Sequence, residues 1–318
     1  MDELDVKIFR ALVSESAIAP SSHQVNSSLR SIARRLGADD GTVNYRYKRF
    51  QESGSMSAWS LVVNPSLFGR AMLDVMVDAQ PESAKPDMIR KLKLIGEVSG
   101  IVDFYGKALR LLVMHSGEES RSRTVELISR ITNTETLTQV RWARPACRTS
   151  RITETDVAII RSLSDDARKS FVQVARELGF SVRTVRNHVE RLRGENTIFS
   201  IPTLNMGGIP GLIPASLSYT YARPDAKGMA DRAILSHFEA SYLWGGFADP
   251  SSAWILLSLS TMLDVQKCLE WARSQPSIAN ARVDILTRIL MFPEKQAELL
   301  ASRNETASIS KRALNPRT

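Results

Sequence analysis

Cysteine is nearly absent: the 318 residues hold two, Cys147 and Cys268. Thiols so far apart build neither a disulfide framework nor a four-thiolate zinc site. They are expected as buried, reduced side chains, with one long bridge between them left open. The four histidines, His23, His115, His188 and His237, fall at no metal-ligand spacing. A Gly-rich phosphate loop, a Gly-x-Ser-x-Gly elbow and a conspicuous pair of carboxylates are also missing. No metal, no cofactor and no catalytic residue is therefore expected. Long apolar runs are lacking too. The one long uncharged stretch, Asn196 to Ala222, is interrupted by Pro202, Pro210, Pro214, Gly207, Gly208 and Gly211, which excludes a membrane-spanning helix there. The acidic opening, Met1 to Asp5, lacks the apolar segment of a secretory signal, so a cytoplasmic protein is expected.

What is present describes an ordinary globular chain. Hydrophobic residues make up 43% and charged residues 24%, which argues against wholesale disorder. At roughly 150 residues per domain the length suggests about two domains. Lys and Arg exceed Asp and Glu by 42 to 34, a net charge of +8, and the pI is near 9.6. Such a balance suits a polyanionic partner without reaching ribosomal extremes. Charge alone does not name that partner.

The chain contains itself twice. Asp5-Val-Lys-Ile-Phe-Arg-Ala-Leu12 corresponds to Asp156-Val-Ala-Ile-Ile-Arg-Ser-Leu163, and Ile32-Ala-Arg-Arg-Leu-Gly37 to Val174-Ala-Arg-Glu-Leu-Gly179. Thr42-Val43 then matches Thr184-Val185, Arg49 matches Arg191 and Gly69 matches Gly211. One insertion in the first copy, within Ser14 to Asn26, accounts for the change in register. Rich in serine, with Pro20 and His23, it reads as a surface loop.

Each copy opens with three helical patterns. In the second, Ile159, Ile160 and Leu163 form one apolar face. Ser170 and Gln173 make a capping box, and Gly179 suits a left-handed helix end. Ser181 caps a third helix with apolar Val185, Val189 and Leu192. The first copy repeats this with Ser28, Gly37 and the cap Asp39, then Val43, Tyr47 and Phe50. Two helices joined by a short glycine turn, the second of them basic, describe a helix-turn-helix. Ser55–Val63 and Thr197–Leu204 follow as wing strands. Beyond them the pattern reads strand, helix, strand, strand, helix, strand, the split βαβ or ferredoxin-like order. In the first copy the strands are placed at Ala71–Asp78, Ile101–Tyr105, Leu109–His115 and Glu135–Trp142, with helices at Lys85–Ile95 and Arg121–Ile131. In the second the strands are Ala215–Tyr221, Leu243–Phe247, Ala253–Ser260 and Ala281–Ile289, with helices at Ala226–His237 and Met262–Ser274. The expected fold class is α+β: winged helix-turn-helix domains at 1–63 and 149–206 alternate with βαββαβ domains at 64–148 and 207–300, before a mobile tail at 301–318. Each sheet carries helices on one face only; Leu217, Trp254, Leu256 and Met114 suggest that the other face does not stay wholly wet.

A helix-turn-helix followed by βαββαβ resembles the Lrp/AsnC ("feast/famine") transcription regulators. The second copy carries this best, in Asp156-x-x-Ile159-Ile160-x-x-Leu163, Val174-Ala175-x-x-Leu178-Gly179-x-Ser181 and Val185-x-x-His188-Val189-x-Arg191-Leu192. Members usually have arginine where His188 stands, and the first copy keeps it as Arg46. The resemblance spans roughly Met1 to Glu298 and implies pairing through the βαββαβ domains. The chain would then be a covalently fused pair that binds double-stranded DNA; whether pairing runs within or between chains stays open.

Outward positions on the second reading helix are Arg183, Thr184, Arg186, Asn187 and Glu190. Arginine can grip guanine and asparagine adenine with paired hydrogen bonds, and threonine can touch a thymine methyl. Arg168, Lys169, Arg176, Arg191 and Arg193 surround them as phosphate contacts. In the first copy Gly41, Asn44, Tyr45 and Lys48 face outward with Arg46 and Arg49 nearby, but Asp39 and Asp40 bring negative charge toward the phosphates. The bland alternative is a solvated basic face. If both helices read bases, their differences imply an asymmetric site.

Relatives commonly sense amino acids near a Gly-x-x-Asp turn. Here the first copy reads Gly106-Lys107-Ala108-Leu109 and the second Gly246-Phe247-Ala248-Asp249-Pro250, so an amino-acid effector is not assigned. For Asp249 a turn role and a ligand role weigh equally. Two alternatives to specific regulation remain: an architectural DNA coater, and an enzyme like the siroheme decarboxylases, which share this architecture. The sequence lacks a tryptophan-proline-tyrosine-asparagine type stretch associated with those enzymes, and the reading is non-enzymatic.

Overall fold

The computed structural model describes residues 2–14, 29–135, 137–142, 147–148, 152–164, 166–205, 211–296 and 298–300. Nearly all of the inserted segment, Ser28 and the tail at 301–318 lie outside the described residues.

The first half runs α1 (Glu3–Ser14), α2 (Leu29–Leu36), α3 (Asp40–Glu52), β1 (Met56–Val63), β2 (Ala71–Asp78), α4 (Lys85–Lys93), β3 (Val98–Phe104), β4 (Ala108–His115), α5 (Glu118–Thr132) and β5 (Thr138–Trp142). The second half repeats that order: α6 (Glu154–Ser164), α7 (Phe171–Leu178), α8 (Val182–Gly194), β6 (Ile198–Leu204), β7 (Ile213–Tyr221), α9 (Lys227–His237), β8 (Tyr242–Gly246), β9 (Ser252–Leu259), α10 (Met262–Ser274) and β10 (Ile278–Met291). The mixed class and the alternation of helix-turn-helix with βαββαβ are as the sequence implied.

Local rules place the helix ends. Ser170 and Gln173 form the reciprocal capping box, and Gly179 takes φ 69°. Ser181 accepts from the Thr184 amide. In the first half the Asp39 carboxylate accepts from the amides of Gly41 and Thr42. Val185, Val189 and Leu192 are fully buried, as are Val43 and, nearly so, Phe50.

Long-range pairing goes beyond the local pattern. β1 and β6, the two wing strands, pair antiparallel with one another, so each helix-turn-helix supplies one strand of a shared ribbon. The remaining eight strands are ordered β5-β2-β4-β3-β10-β7-β9-β8. β10 makes the junction: Ile278 to Ile285 pair with β7, then Leu286 to Met291 pair with β3 of the other half. Alternation along each strand divides the two faces. Leu73, Val75, Leu109 and Leu111 pack under the helices of the first half, and Ala215, Leu217, Ile255 and Leu257 under those of the second. Leu217 thus faces helices rather than the open face. The opposite faces meet: Arg110 reaches Ser216 and Ser218, and Trp254 reaches Asp74. Trp254 and Leu256 join the core cluster that also holds Phe104 and Leu286, while Met114 sits beside Met72 and Leu112. Among the described residues no helix is long and apolar enough to cross a membrane. Both cysteines are free; Cys268 is buried and its thiol pushed up to about 12 by burial, whereas Cys147 is only half-buried.

Candidate nucleic-acid interface

The face of α8 that leaves the core carries the candidate reading residues. Arg183, Arg186, Asn187 and Glu190 are exposed. Neither Arg183 nor Arg186 enters an ion pair among the described residues, so both forks are available to a ligand. Both arginines and Asn187 lie in the first half of the helix, the part that a helix-turn-helix presents to base edges. Thr184 is half-buried, with its hydroxyl against that of the cap Ser181 at 2.8 Å, so it serves the helix end.

Several flanking cations are held inside the protein instead. Arg191 donates to Asp156 at 2.6 Å and to Glu195 at 2.9 Å. Asp156 is fully buried and also accepts from His188 at 2.6 Å and from the Thr153 amide at 2.8 Å. Burial raises this carboxyl, but the bonds from His188, Thr153 and Arg191 outweigh it and hold it below the usual carboxylate range. Lys169 donates to the Ser162 carbonyl at 2.7 Å and to Glu177 at 3.0 Å, leaving its side chain 17% exposed. Arg168 stacks over Trp59 at 4.5 Å and Tyr47 at 5.4 Å, joining the second half to the first. Arg193 is half-buried, and its guanidinium is pushed down to about 10 by burial and by Arg168 nearby. Arg176 stays exposed.

α3 offers less. Arg46 is clamped by Asp5 at 2.7 Å and by Asp2 at 2.5 Å, the place that His188 takes in the second half. Its charge holds the Asp2 carboxyl low. Asn44 spends one amide hydrogen on the Asp40 carbonyl at 2.8 Å, and the Gly41 amide is taken by Asp39. Tyr45, 64% exposed, Lys48 and Arg49 remain open to solvent. Tyr47 turns inward, its hydroxyl accepting from Trp59 Nε1 at 3.1 Å.

Two features were missed by the sequence reading. The first is the pair of acidic hubs, Asp5 and Asp156, which match in the repeat and so were visible as a signal. The second is a lysine at the same repeat position, Lys85 and Lys227, locking the turn after β3 and after β8. Lys85 Nζ donates to the carbonyls of Phe104 at 2.5 Å and Gly106 at 2.6 Å and pairs with Asp103 at 2.7 Å. Lys227 bonds Asp231, the Tyr221 hydroxyl and the Phe247 carbonyl. Carbonyl oxygens at both turns are therefore already satisfied by a cation of the protein's own. Asp249 accepts from the Ser251 amide at 2.8 Å and from its hydroxyl at 2.5 Å, the pattern of a turn residue. Lys85→Met is expected to cost about 2–4 kcal/mol by stranding buried acceptors. Lys107→Met, which breaks a pair with half-buried Asp78 but leaves that carboxylate its bond to Arg282, should cost less than about 1 kcal/mol. Urea denaturation of both variants measures the difference.

Among the described residues no group of three or more histidine, cysteine or acidic side chains is arranged to hold a metal. His115 Nδ1 lies 3.2 Å from the Gly117 carbonyl at the end of β4, and His237 stacks on Trp271.

The AsnC-type helix-turn-helix domain family matches residues 152–193. The HTH-type transcriptional regulator Ptr1 of Methanocaldococcus jannaschii is 30% identical over 105 residues, covering 33% of this chain and 63% of the relative. An uncharacterized HTH-type transcriptional regulator of Pyrococcus horikoshii, PH0045, is 29% identical over 107 residues, 34% of this chain and 63% of its own. The chain thus spans less than two thirds of either relative's length. Among solved structures the siroheme decarboxylase NirDL, in complex with an iron-uroporphyrin III analogue, superposes with a TM-score of 0.54 at 13% identity, over 97% of this chain and 99% of that one. That likeness is one of fold.

Proposed function

We propose, on the premise that residues 152–193 are an AsnC-type helix-turn-helix domain, that this transcriptional regulator reads a specific and asymmetric DNA site as a single-chain pseudo-dimer. The shared β1–β6 ribbon and the Arg168–Trp59 stack hold two helix-turn-helix units side by side, and the sandwich of sheets fixes their spacing. α8 enters a major groove with Arg183, Arg186 and Asn187 toward the base edges and Glu190 able to accept from cytosine. α3 enters the neighbouring groove and supplies mainly backbone contacts through Lys48 and Arg49.

The observation that carries this reading is the exposed α8 face, where Arg183 and Arg186 make no ion pair among the described residues while nearby Arg191 and Lys169 are tied down. A coating protein of low sequence preference relies on phosphate and shape, and has no need of free forks beside an asparagine. An enzymatic role of the siroheme-decarboxylase kind has only the shared fold behind it: among the described residues no histidine lines the space between the sheets, and His115, His188 and His237 engage Gly117, Asp156 and Trp271 instead.

Selection from a random double-stranded DNA library at about physiological salt tests the proposal. An enriched, non-palindromic motif is expected. Salt-sensitive retention without enrichment would replace it with the architectural reading.

A further inference from the structure

The two sheets do not close completely. Between them lies a cleft of about 170 Å³ lined by Met76, Arg110, Val140 and Trp254 among others, with Thr138 and Arg282 on its wall. It runs on into a more polar space of about 560 Å³, sharing Met76, Thr138 and Arg282. The smaller part has room for about six waters at their liquid volume. It is therefore suited to a fragment-sized ligand rather than a large one.

Arg110 is the unusual feature. It is 3% exposed, yet it makes no ion pair among the described residues. Its Nε donates to Met76 Sδ at 3.2 Å, and its Nη2 to Ser216 Oγ at 3.0 Å and Ser218 Oγ at 3.2 Å. Nη1 makes no hydrogen bond to any described residue. The guanidinium plane is fixed by stacking 4.1 Å from the Trp254 ring. A buried guanidinium is costly, and one serving structure alone is ordinarily met by a carboxylate fork. Here Asp74 and Asp284 lie near enough to attract Arg110 without forming an ion pair, and each accepts at one oxygen from another donor: Asp74 from Trp254 Nε1 at 3.0 Å, and Asp284 from Arg282 Nε at 2.8 Å.

The cleft is also one-sided. β2 and β4 pair Met76 with Arg110, and β7 and β9 pair Ser218 with Trp254 at the corresponding register. The position that is arginine in one half is tryptophan in the other. A mirror site would lack the cation, so one site per chain follows.

We propose that this cleft binds one small organic carboxylate with an aromatic or apolar body, its carboxylate on Arg110 and its body among Met76, Val140 and Trp254. The Asp284 and Asp78 carboxylates on that side are each paired with Arg282 at 2.8 Å, which offsets the negative charge the ligand meets. The site stands apart from the DNA reading and is measured without DNA.

Phenylacetate is the probe, titrated into the full chain by calorimetry and by tryptophan fluorescence, with 2-phenylacetamide as its neutral counterpart. Saturable binding of one phenylacetate per chain is expected, with the amide at least tenfold weaker. Arg110→Gln should weaken phenylacetate at least tenfold. Because that variant alters a buried contact, Thr138→Trp is the second: residue 138 is exposed, so the indole obstructs the cleft while the fold is kept. It too should lose binding, with its thermal midpoint unchanged. Failure of the wild type to bind, equal binding of acid and amide, or wild-type affinity in both variants would each overturn the proposal and leave Arg110 as a purely structural clasp.

Discussion

Replacing Asp156 with alanine will unfold the second helix-turn-helix far more readily than any change on the exposed face of α8. The carboxylate is fully buried and joins two segments: the start of α6 through Thr153, and α8 through His188 and Arg191. Breaking a buried ionic group by removing one partner costs about 3–5 kcal/mol. The side chains of His188 and Arg191 are 26% and 35% exposed and can be rehydrated, so the lower end, about 3 kcal/mol, is expected. The pH dependence gives a second check. A carboxyl held low in the folded state contributes stability that is fully present above its unfolded value, about 3.9, and is lost as pH falls through the folded value. Urea denaturation should therefore separate wild type from Asp156→Asn at pH 7, with the gap narrowing as pH falls below about 4. A gap that stays constant down to pH 2 would mean that the charge of Asp156 contributes nothing.

That hub shows where sequence reasoning succeeds and where it stops. Helix ends were legible because capping chemistry is local: Ser170 with Gln173, Ser181, Asp39 and Gly179 act within four residues of themselves. The buried faces of α3 and α8 followed from the 3.6-residue period for the same reason. Direction was the harder matter. Arg46 and Arg191 stand at surface positions of a basic helix, and nothing within α3 or α8 says that their partners are Asp5 and Asp156, 41 and 35 residues away. The pairing of the wing strands with each other, and the passage of β10 from one sheet to the next, are likewise non-local. Leu217 was placed on the wrong face because period-two alternation gives two faces without saying which one the helices cover.

The same separation of inward from outward cations predicts unequal recognition helices. Arg186→Ala with Asn187→Ala should cost about 2–6 kcal/mol on the selected site, since each paired hydrogen-bond contact to a base carries about 1–3 kcal/mol. The loss on a scrambled sequence should be much smaller, because the proposed role of those side chains is base discrimination. Asn44→Ala with Lys48→Ala should behave differently. Asn44 already donates to the Asp40 carbonyl, and Asp40 adds negative charge at the start of α3, so this helix is poorly placed to discriminate bases. Its double variant should weaken both sequences alike by less than about tenfold, and lower the slope of log K against log salt by about one, the effect of removing one exposed cation from the proposed phosphate contacts. Fluorescence anisotropy on both duplexes at two salt concentrations measures all four quantities. Equal losses on selected and scrambled DNA from the α8 variant would sink direct readout by that helix. A sequence-dependent loss from the α3 variant would instead show that both halves read bases.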